Sequence, residues 1–309
     1  MKKILITTSS FDLANFPEYD SLLKAGFTIS LNPFKKKMTE EQIGGLMDEN
    51  VVAMIAGTEP LTEAVMQKAP GLKIIVRCGI GMDNVDLPTA EKLGIKVYNT
   101  PDAPTRSVAE LTLGHILSLL RRISESDRMV RIGKWQSLMG SLLYGQTVGV
   151  IGFGRIGKMV SRLLIAFGAR VLVYDVFLQT GFEGVEIVSK EVIFAECDVV
   201  TLHLPYTKEN HHLINAEALA QMKPGTLVVN VSRGGLIDDA ALYEAIKNKH
   251  IAGAALDCFE QEPYQGPLAE CEEVQLTAHM GSYASQSRVK QEQDSCEVLV
   301  RELKSIKII

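Results

Sequence analysis

The sequence has little that would mark it for a membrane, an oxidising compartment or nucleic acid. No run of its 309 residues approaches the apolar length that spans a bilayer. The start, Met1-Lys-Lys and then Ile4-Leu-Ile6, lacks the longer apolar core and small-residue cleavage site of a signal peptide and reads as a first strand. Five cysteines (Cys78, Cys197, Cys258, Cys271 and Cys296) are odd in number, scattered, and form no CxxC pair. That pattern speaks against a disulfide framework or a metal site and suits reduced thiols in a cytoplasmic protein. The net charge is −5 and the one short basic run is Lys35-Lys36-Lys37, so nucleic acid is not the expected partner. There is no internal repeat and no low-complexity tract. With 46% hydrophobic and 22% charged residues, the composition is that of a globular chain long enough for two domains.

What is there is organised around Thr147-Val-Gly-Val-Ile-Gly-Phe-Gly-Arg-Ile-Gly157. Val148 to Ile151 reads as a buried parallel strand that runs into Gly152-x-Gly154-x-x-Gly157, and Lys158 to Phe167 carries an apolar face at helical spacing. Arg170 to Tyr174 reads as the next strand and ends at Asp175, 18 residues beyond Gly157. Strand, glycine turn, helix, strand and acid together make a dinucleotide-binding fingerprint. Gly152 permits the tight turn, Gly154 lets backbone approach a pyrophosphate, and Gly157 lets the helix pack closely. The helix N-terminus presents unpaired N–H groups and a positive dipole to the phosphates. Asp175 would accept from the ribose hydroxyls, and no cation follows in Val176, Phe177 and Leu178 to neutralise a 2′-phosphate, which favours NAD over NADP. A glycine turn without a ligand is the alternative that the surrounding strands and acid argue against.

Around this segment, short strands alternate with helices of about ten residues, the pattern of a parallel α/β sheet. Strands are expected at Lys3–Thr7, Thr28–Leu31, Val51–Ala56, Lys73–Val76 and Lys96–Tyr98, and Thr7-Thr-Ser-Ser10 replaces a glycine fingerprint after the first. The first block therefore reads as a domain that does not carry the dinucleotide. Thr105 to roughly Gly133 reads as one long helix, apolar on several faces and suited to packing between domains or subunits. Further strands end at Leu204, Val231, Asp257 and Leu276, and a helix over Ser285–Leu303 closes the chain. Insertion of the second domain into the first would return that helix to the N-terminal block.

Three residues look like chemistry. Arg233 follows a strand and precedes Gly234-Gly235, where a guanidinium suits bidentate binding of a carboxylate. Its alternative is a sheet-capping ion pair. Glu262 lies in Asp257-Cys-Phe-Glu-Gln-Glu-Pro263, which a solvated acidic loop would also explain, and His279 ends the last strand. A carboxylate beside an imidazole fixes its tautomer and favours its protonated form, a proton donor suited to pH 7. Ketone reduction needs a fixed nicotinamide, a cation to polarise the keto acid, and an acid for the developing alkoxide.

Gly152-Phe-Gly-Arg-Ile-Gly157, His203-Leu-Pro205, Met222-Lys-Pro-Gly225, Asn230-Val-Ser-Arg-Gly-Gly-Leu-Ile-Asp238, Gly253-Ala-Ala-Leu-Asp257, Glu262-Pro263 and His279-Met-Gly281 together resemble the D-isomer-specific 2-hydroxyacid dehydrogenases, and among them the phosphoglycerate dehydrogenase-like members. Arg77-Cys-Gly-Ile-Gly-Met-Asp-Asn84 and Arg106-Ser-Val-Ala-Glu110 extend the likeness into the first block. The resemblance implies two Rossmann-like, doubly wound parallel-sheet domains with the active site between them. An NAD-binding domain (101–283) would be inserted into a flavodoxin-like substrate-binding domain (1–100 and 284–309). It implies that Arg233 binds the substrate carboxylate and keto oxygen, with His279 the acid/base and Glu262 its partner. Backbone N–H groups of Cys78-Gly79 would hold the carboxylate from the other domain. Arg155 and Ile156 would face the pyrophosphate, and Asp175 the ribose. Pro205, Val231 and Asp257 would line the nicotinamide side, with Thr105 reaching the cofactor too. A homodimer built near Arg106 is implied as well.

Ala278 stands where the family usually has Pro, and the segment from Glu262 to His279 is short; both would reshape the substrate side. No regulatory domain follows the terminal helix, so serine-feedback control is not expected. Arg77 is open to two readings, a ligand for a substrate phosphate or a structural salt bridge. The expected substrate is 3-phosphoglycerate/phosphohydroxypyruvate, with glyoxylate or hydroxypyruvate next. A formate-type dehydrogenase is disfavoured, because there the histidine partner is typically Gln and an N-terminal extension is common. A non-catalytic NAD-sensing module that binds protein partners, like the related corepressors, is the reading from another class.

Overall fold

The computed structural model describes residues 1–177 and 182–308; Leu178, on which part of the cofactor argument rested, lies outside them. The chain divides into two compact units, one of Met1–Pro104 with the residues from Ser282 onward, the other of Thr105–Gly281.

In the first unit five parallel strands, β1 (Lys2–Ile6), β2 (Phe27–Leu31), β3 (Val51–Ala56), β4 (Ile74–Arg77) and β5 (Lys96–Asn99), lie in the order β2-β1-β3-β4-β5. That is the flavodoxin-like order. Helices α1 (Tyr19–Lys24), α2 (Glu40–Leu46), α3 (Glu63–Met66) and α4 (Leu87–Lys92) connect them. One sheet face, Leu5, Met54 and Ile75, packs on Ile43, Val65 and Met66. The other, Ile4, Ile6 and Val76, packs on Cys296, Leu299 and Leu303 of the closing helix (Ser285–Ser305). Apolar strands buried on both faces are what a parallel sheet between helical layers requires.

The second unit opens with α5 (Thr105–Leu120) and α6 (Ile123–Arg131). There follow β6 (Thr147–Ile151), α7 (Arg155–Ala166), β7 (Arg170–Tyr174), β8 (Val185–Ile187), α8 (Lys190–Glu196), β9 (Val199–Leu202), α9 (Ala216–Gln221), β10 (Thr226–Asn230), α10 (Asp239–Lys247), β11 (Ile251–Leu256) and β12 (Val274–Leu276). The sheet is parallel throughout, in the order β12-β11-β10-β9-β6-β7-β8. This is the doubly wound Rossmann arrangement with one added edge strand, and its order reverses between β6 and β9.

Two expectations need correction. The helix from Thr105 to Gly133 is two helices, because Arg122 adopts the left-handed region (φ 51°), breaks the helix after Leu120, and pairs with Glu125. Nor is α5 reserved for contacts outside its unit. Val108, Ala109, Ile116, Leu119 and Leu120 are buried against Val148, Val150, Val160 and Leu164 of the same unit, which accounts for their apolar character. β8 and α8 escaped the sequence reading, since three and seven residues are too few to display a period.

α8 explains the glycine inside β6. A Cβ on Gly149 would run into the Ile193 side chain and approach the Cys197 sulfur at 2.9 Å. Gly149→Ala should therefore overpack this contact and destabilise the protein by about 1–3 kcal/mol. A fall in the urea midpoint with unchanged far-UV dichroism would verify it.

Candidate active site

The carboxyl ends of the second sheet carry the expected site residues. Gly152 follows β6 at φ +98°, a conformation that favours glycine, and a Cβ there would stand 2.5 Å from the His203 carbonyl oxygen beyond β9. The turn therefore sits in the gap where strand order reverses, the usual place for a ligand in this architecture. A Cβ on Gly157 would overlap the Gly152 carbonyl oxygen, so only glycine lets α7 start this close to the turn. Open space surrounds Gly154, which is the α7 N-cap and provides no side-chain cap. A 12-residue helix thus presents its positive end to an uncluttered surface, with Arg155 and Ile156 in its first turn.

Asp175 closes this cradle at the end of β7. Its two carboxylate oxygens accept from the backbone N–H groups of Phe153 (2.7 Å) and Phe177 (2.9 Å), which fixes a negative charge there. A carboxylate so held repels a 2′-phosphate, while its remaining lone pairs suit ribose hydroxyls. These residues fit a dinucleotide of the NAD type.

Arg233, Glu262 and His279 follow three adjacent strands, β10, β11 and β12. Glu262 Oε1 accepts from His279 Nδ1 at 2.8 Å and from the Phe259 backbone N–H at 3.2 Å. An ionised carboxylate has only lone pairs to offer, so Nδ1 carries the hydrogen of this bond and Nε2 is the ring nitrogen left outside it. His279 itself adopts a left-handed backbone (φ 51°) and is 43% exposed in its side chain. Asp257, 1% exposed, holds that turn. Its carboxylate accepts from Thr277 Oγ1 (2.6 Å) and from the backbone N–H groups of Met280 and Gly281 (2.8 Å each). Thr277 Oγ1 in turn lies 3.3 Å from His115 Nε2 on α5. Asp257 thus braces the His279 turn, a contact that chain position alone does not reveal.

The Arg233 turn is tied to the Glu262 loop through backbone. Gly234 lies directly on the Phe259–Glu260 backbone, where any Cβ would overlap it. The Arg233 carbonyl accepts from Asn230 Nδ2, and its Nη1 donates to the Ser232 carbonyl at 2.7 Å. Val231 is buried beside it, Pro205 is exposed after β9, and Thr105 begins α5.

The remaining candidates lie in the first unit. Arg77 is 7% exposed, and its guanidinium donates to Asn84 Oδ1 (3.3 Å) and to the Cys78 carbonyl. Glu59, 1% exposed, accepts from Thr7 and from the Gly57 backbone N–H. Burial raises its carboxyl above the usual carboxylate range, and the Arg77 charge opposes that shift. The Cys78 N–H donates to the Ala56 carbonyl and the Gly79 N–H to Thr100 Oγ1, both at 2.9 Å. Both amides proposed for a carboxylate are therefore engaged within their own unit.

Residues 113–281 match the family model described as the NAD binding domain of D-isomer specific 2-hydroxyacid dehydrogenases. The chain is 37% identical to the D-3-phosphoglycerate dehydrogenase of Synechocystis sp. over 303 residues, which is 95% of this chain and 55% of that protein. It is 40% identical to the glyoxylate reductase of Korarchaeum cryptofilum over 254 residues, 79% of this chain and 76% of that one. The chain thus spans about half the length of the first relative and three quarters of the second. The fold superposes with a TM-score of 0.84 on the D-lactate dehydrogenase of Aquifex aeolicus complexed with NAD and lactic acid, at 30% identity, covering 98% of this chain and 96% of that one.

Two imidazoles near the site, His115 buried and His203 half-buried, make stability depend on pH. Burial pushes His203 down to about 3 from 6.5, and its Nδ1 is sealed from solvent without a partner. Burial also lowers His115. Unfolding lets both take up a proton near pH 6.5, whereas in the folded chain His203 resists protonation until about pH 3 and His115 is protonated only below its ordinary value. Stability should therefore fall on acidification below about pH 6.5, by at most about 1.4 kcal/mol per pH unit for each imidazole. Denaturant titrations between pH 4 and 8 would measure this slope, and His203→Gln should flatten it.

Proposed function

Since the chain belongs to the D-isomer specific 2-hydroxyacid dehydrogenase family, we propose that it interconverts a D-2-hydroxy acid and its 2-keto acid. NAD, when bound, provides the hydride acceptor, and NADH the donor. Arg233 holds the substrate carboxylate and polarises the keto oxygen. His279 delivers a proton from Nε2 to that oxygen during reduction and removes it during oxidation. Glu262 holds the ring in the tautomer this requires and stabilises the imidazolium. The 2.8 Å bond between Glu262 and His279 carries this reading, because it leaves Nε2 as the nitrogen that exchanges the proton.

For the substrate, the relevant observation is Arg77. A buried guanidinium already bonded to Asn84 and the Cys78 carbonyl, with Glu59 near it, is better suited to bracing its loop than to receiving a phosphate. This favours a small unphosphorylated acid of the glyoxylate or hydroxypyruvate type. Phosphohydroxypyruvate remains the second reading, on the 37% identity to a phosphoglycerate dehydrogenase. NADH oxidation measured over glyoxylate, hydroxypyruvate, phosphohydroxypyruvate and pyruvate should favour the first two. A strong preference for the phosphorylated acid would reverse the order.

The partner we propose is a second copy of the chain. α6 buries none of its side chains, and Ile132 (68%), Trp135 (91%), Met139 (88%) and Tyr144 (75%) are largely exposed. Apolar exposure on this scale supports an association surface along residues 123–144, in addition to the region of Arg106, which pairs with Glu110 on the exposed side of α5. All five cysteines are buried and unbridged, which supports a cytoplasmic setting.

His279→Ala should lower kcat by about 10²–10⁴-fold while NADH binding, followed by fluorescence, is retained. Full activity in that variant would remove His279 from the mechanism. Trp135 is the chain's single tryptophan, so Ile132→Asp should shift gel-filtration mass from dimer to monomer and red-shift the emission.

A further inference from the structure

Outside the reactive trio, the second unit brings together His211, His212 and Glu260, whose ligand atoms all lie within 4.8 Å of one another. The geometry points to a divalent transition-metal site of the His2Glu type, for which Zn²⁺ is the fitting ion. Two imidazoles and a carboxylate match the preference of zinc for borderline donors and leave a fourth position for water.

One of the distances, now spanned by a direct hydrogen bond, has the length that two ligands of a single ion would show. His212 Nε2 and Glu260 Oε2 are 3.3 Å apart. Ligands bonded to one tetrahedral ion at about 2.0–2.2 Å stand about 3.3–3.6 Å from one another. The two rings stack with centroids 3.7 Å apart and planes inclined by 25°, so binding one ion requires a side-chain rotation that turns a nitrogen of each toward a common point. Each ring also has an oxygen at its other nitrogen. The Tyr206 hydroxyl lies 3.2 Å from His211 Nδ1, and Asp238 Oδ2 lies 3.9 Å from His212 Nδ1. An oxygen within hydrogen-bond distance, as Tyr206 provides for His211, orients a metal-binding histidine and raises its basicity, while Asp238 adds a nearby negative charge at His212. Asp238 is fixed independently, since its Oδ1 caps α10 through the N–H groups of Ala240 and Ala241.

The scaffold is preformed. His212 adopts a left-handed backbone (φ 51°), and its N–H donates to the Gly235 carbonyl at 2.8 Å. Gly234, one residue away, rests on the backbone of Phe259 and Glu260. The histidine pair and the carboxylate thus stand on segments already in contact, and an ion would cross-link them. Glu260 is two residues before Glu262, so the same ion would tie down the loop that orients His279.

The test uses the full chain, stripped with a chelator and titrated with Zn²⁺ alone by calorimetry and with Co²⁺ by visible absorption. One Zn²⁺ per chain and a four-coordinate Co²⁺ spectrum without a thiolate band are expected. His212→Asn keeps a residue type tolerant of the left-handed backbone and should weaken Zn²⁺ binding at least about tenfold. His211→Ala and Glu260→Gln should do the same, with thermal transitions in the absence of metal close to that of the parent chain. Asp238→Asn should weaken binding less while preserving the Co²⁺ spectrum. The site is wrong if Zn²⁺ does not bind, if His212→Asn binds as tightly as the parent, if one ion serves two chains, or if Co²⁺ reports thiolate ligation.

Discussion

The contact between α7 and the turn after β6 sets the terms for the second unit. Gly157 lies against the Gly152 carbonyl so closely that no side chain could be accommodated. A helix seated there must point its N-terminus across the carboxyl edge of the sheet. Gly152 in turn presses on the His203 backbone beyond β9, so the same glycines define both walls of the gap where strand order reverses. Asp175, whose carboxylate accepts from the Phe153 N–H of this turn, inherits its position from the packing.

The proposed reactive groups, Arg233, Glu262 and His279, are positioned by a different device. They occupy successive strand ends, β10, β11 and β12, and each turn is held by hydrogen bonds to a neighbouring residue. Asn230 holds the Arg233 turn, the Phe259 N–H holds Glu262, and Asp257 holds the residues after His279. A left-handed histidine survives because the following two amides have a buried carboxylate to satisfy them.

Much of this was legible in the chain. Glycines at Gly152, Gly154 and Gly157 have spacing that only one local geometry explains, and strands buried on both faces appear as unbroken apolar runs. Arg233, Glu262 and His279 could be picked out because each follows such a run. What stayed hidden is tertiary or local. The left-handed turn at Arg122 falls on a residue type that gives no warning of it, and α8 is too short to show a period. The role of Asp257 depends on a strand pairing with β12 that brings residues 20 or more positions away to its carboxylate. The engagement of Arg77 with Asn84 and the Cys78 carbonyl likewise appears only once side chains have directions.

β12 is three residues long and pairs with β11 alone, and His279 lies immediately past it. The cofactor cradle instead grows from β6, which is flanked on both sides. Short edge strands open locally at a lower free energy than central ones. Fraying at this border would therefore detach His279, the proposed proton donor, while the dinucleotide cradle stayed whole. Gentle warming would then silence the proposed reaction reversibly while the cofactor cradle persisted, so the proposed catalysis and the fold would be lost in separate events.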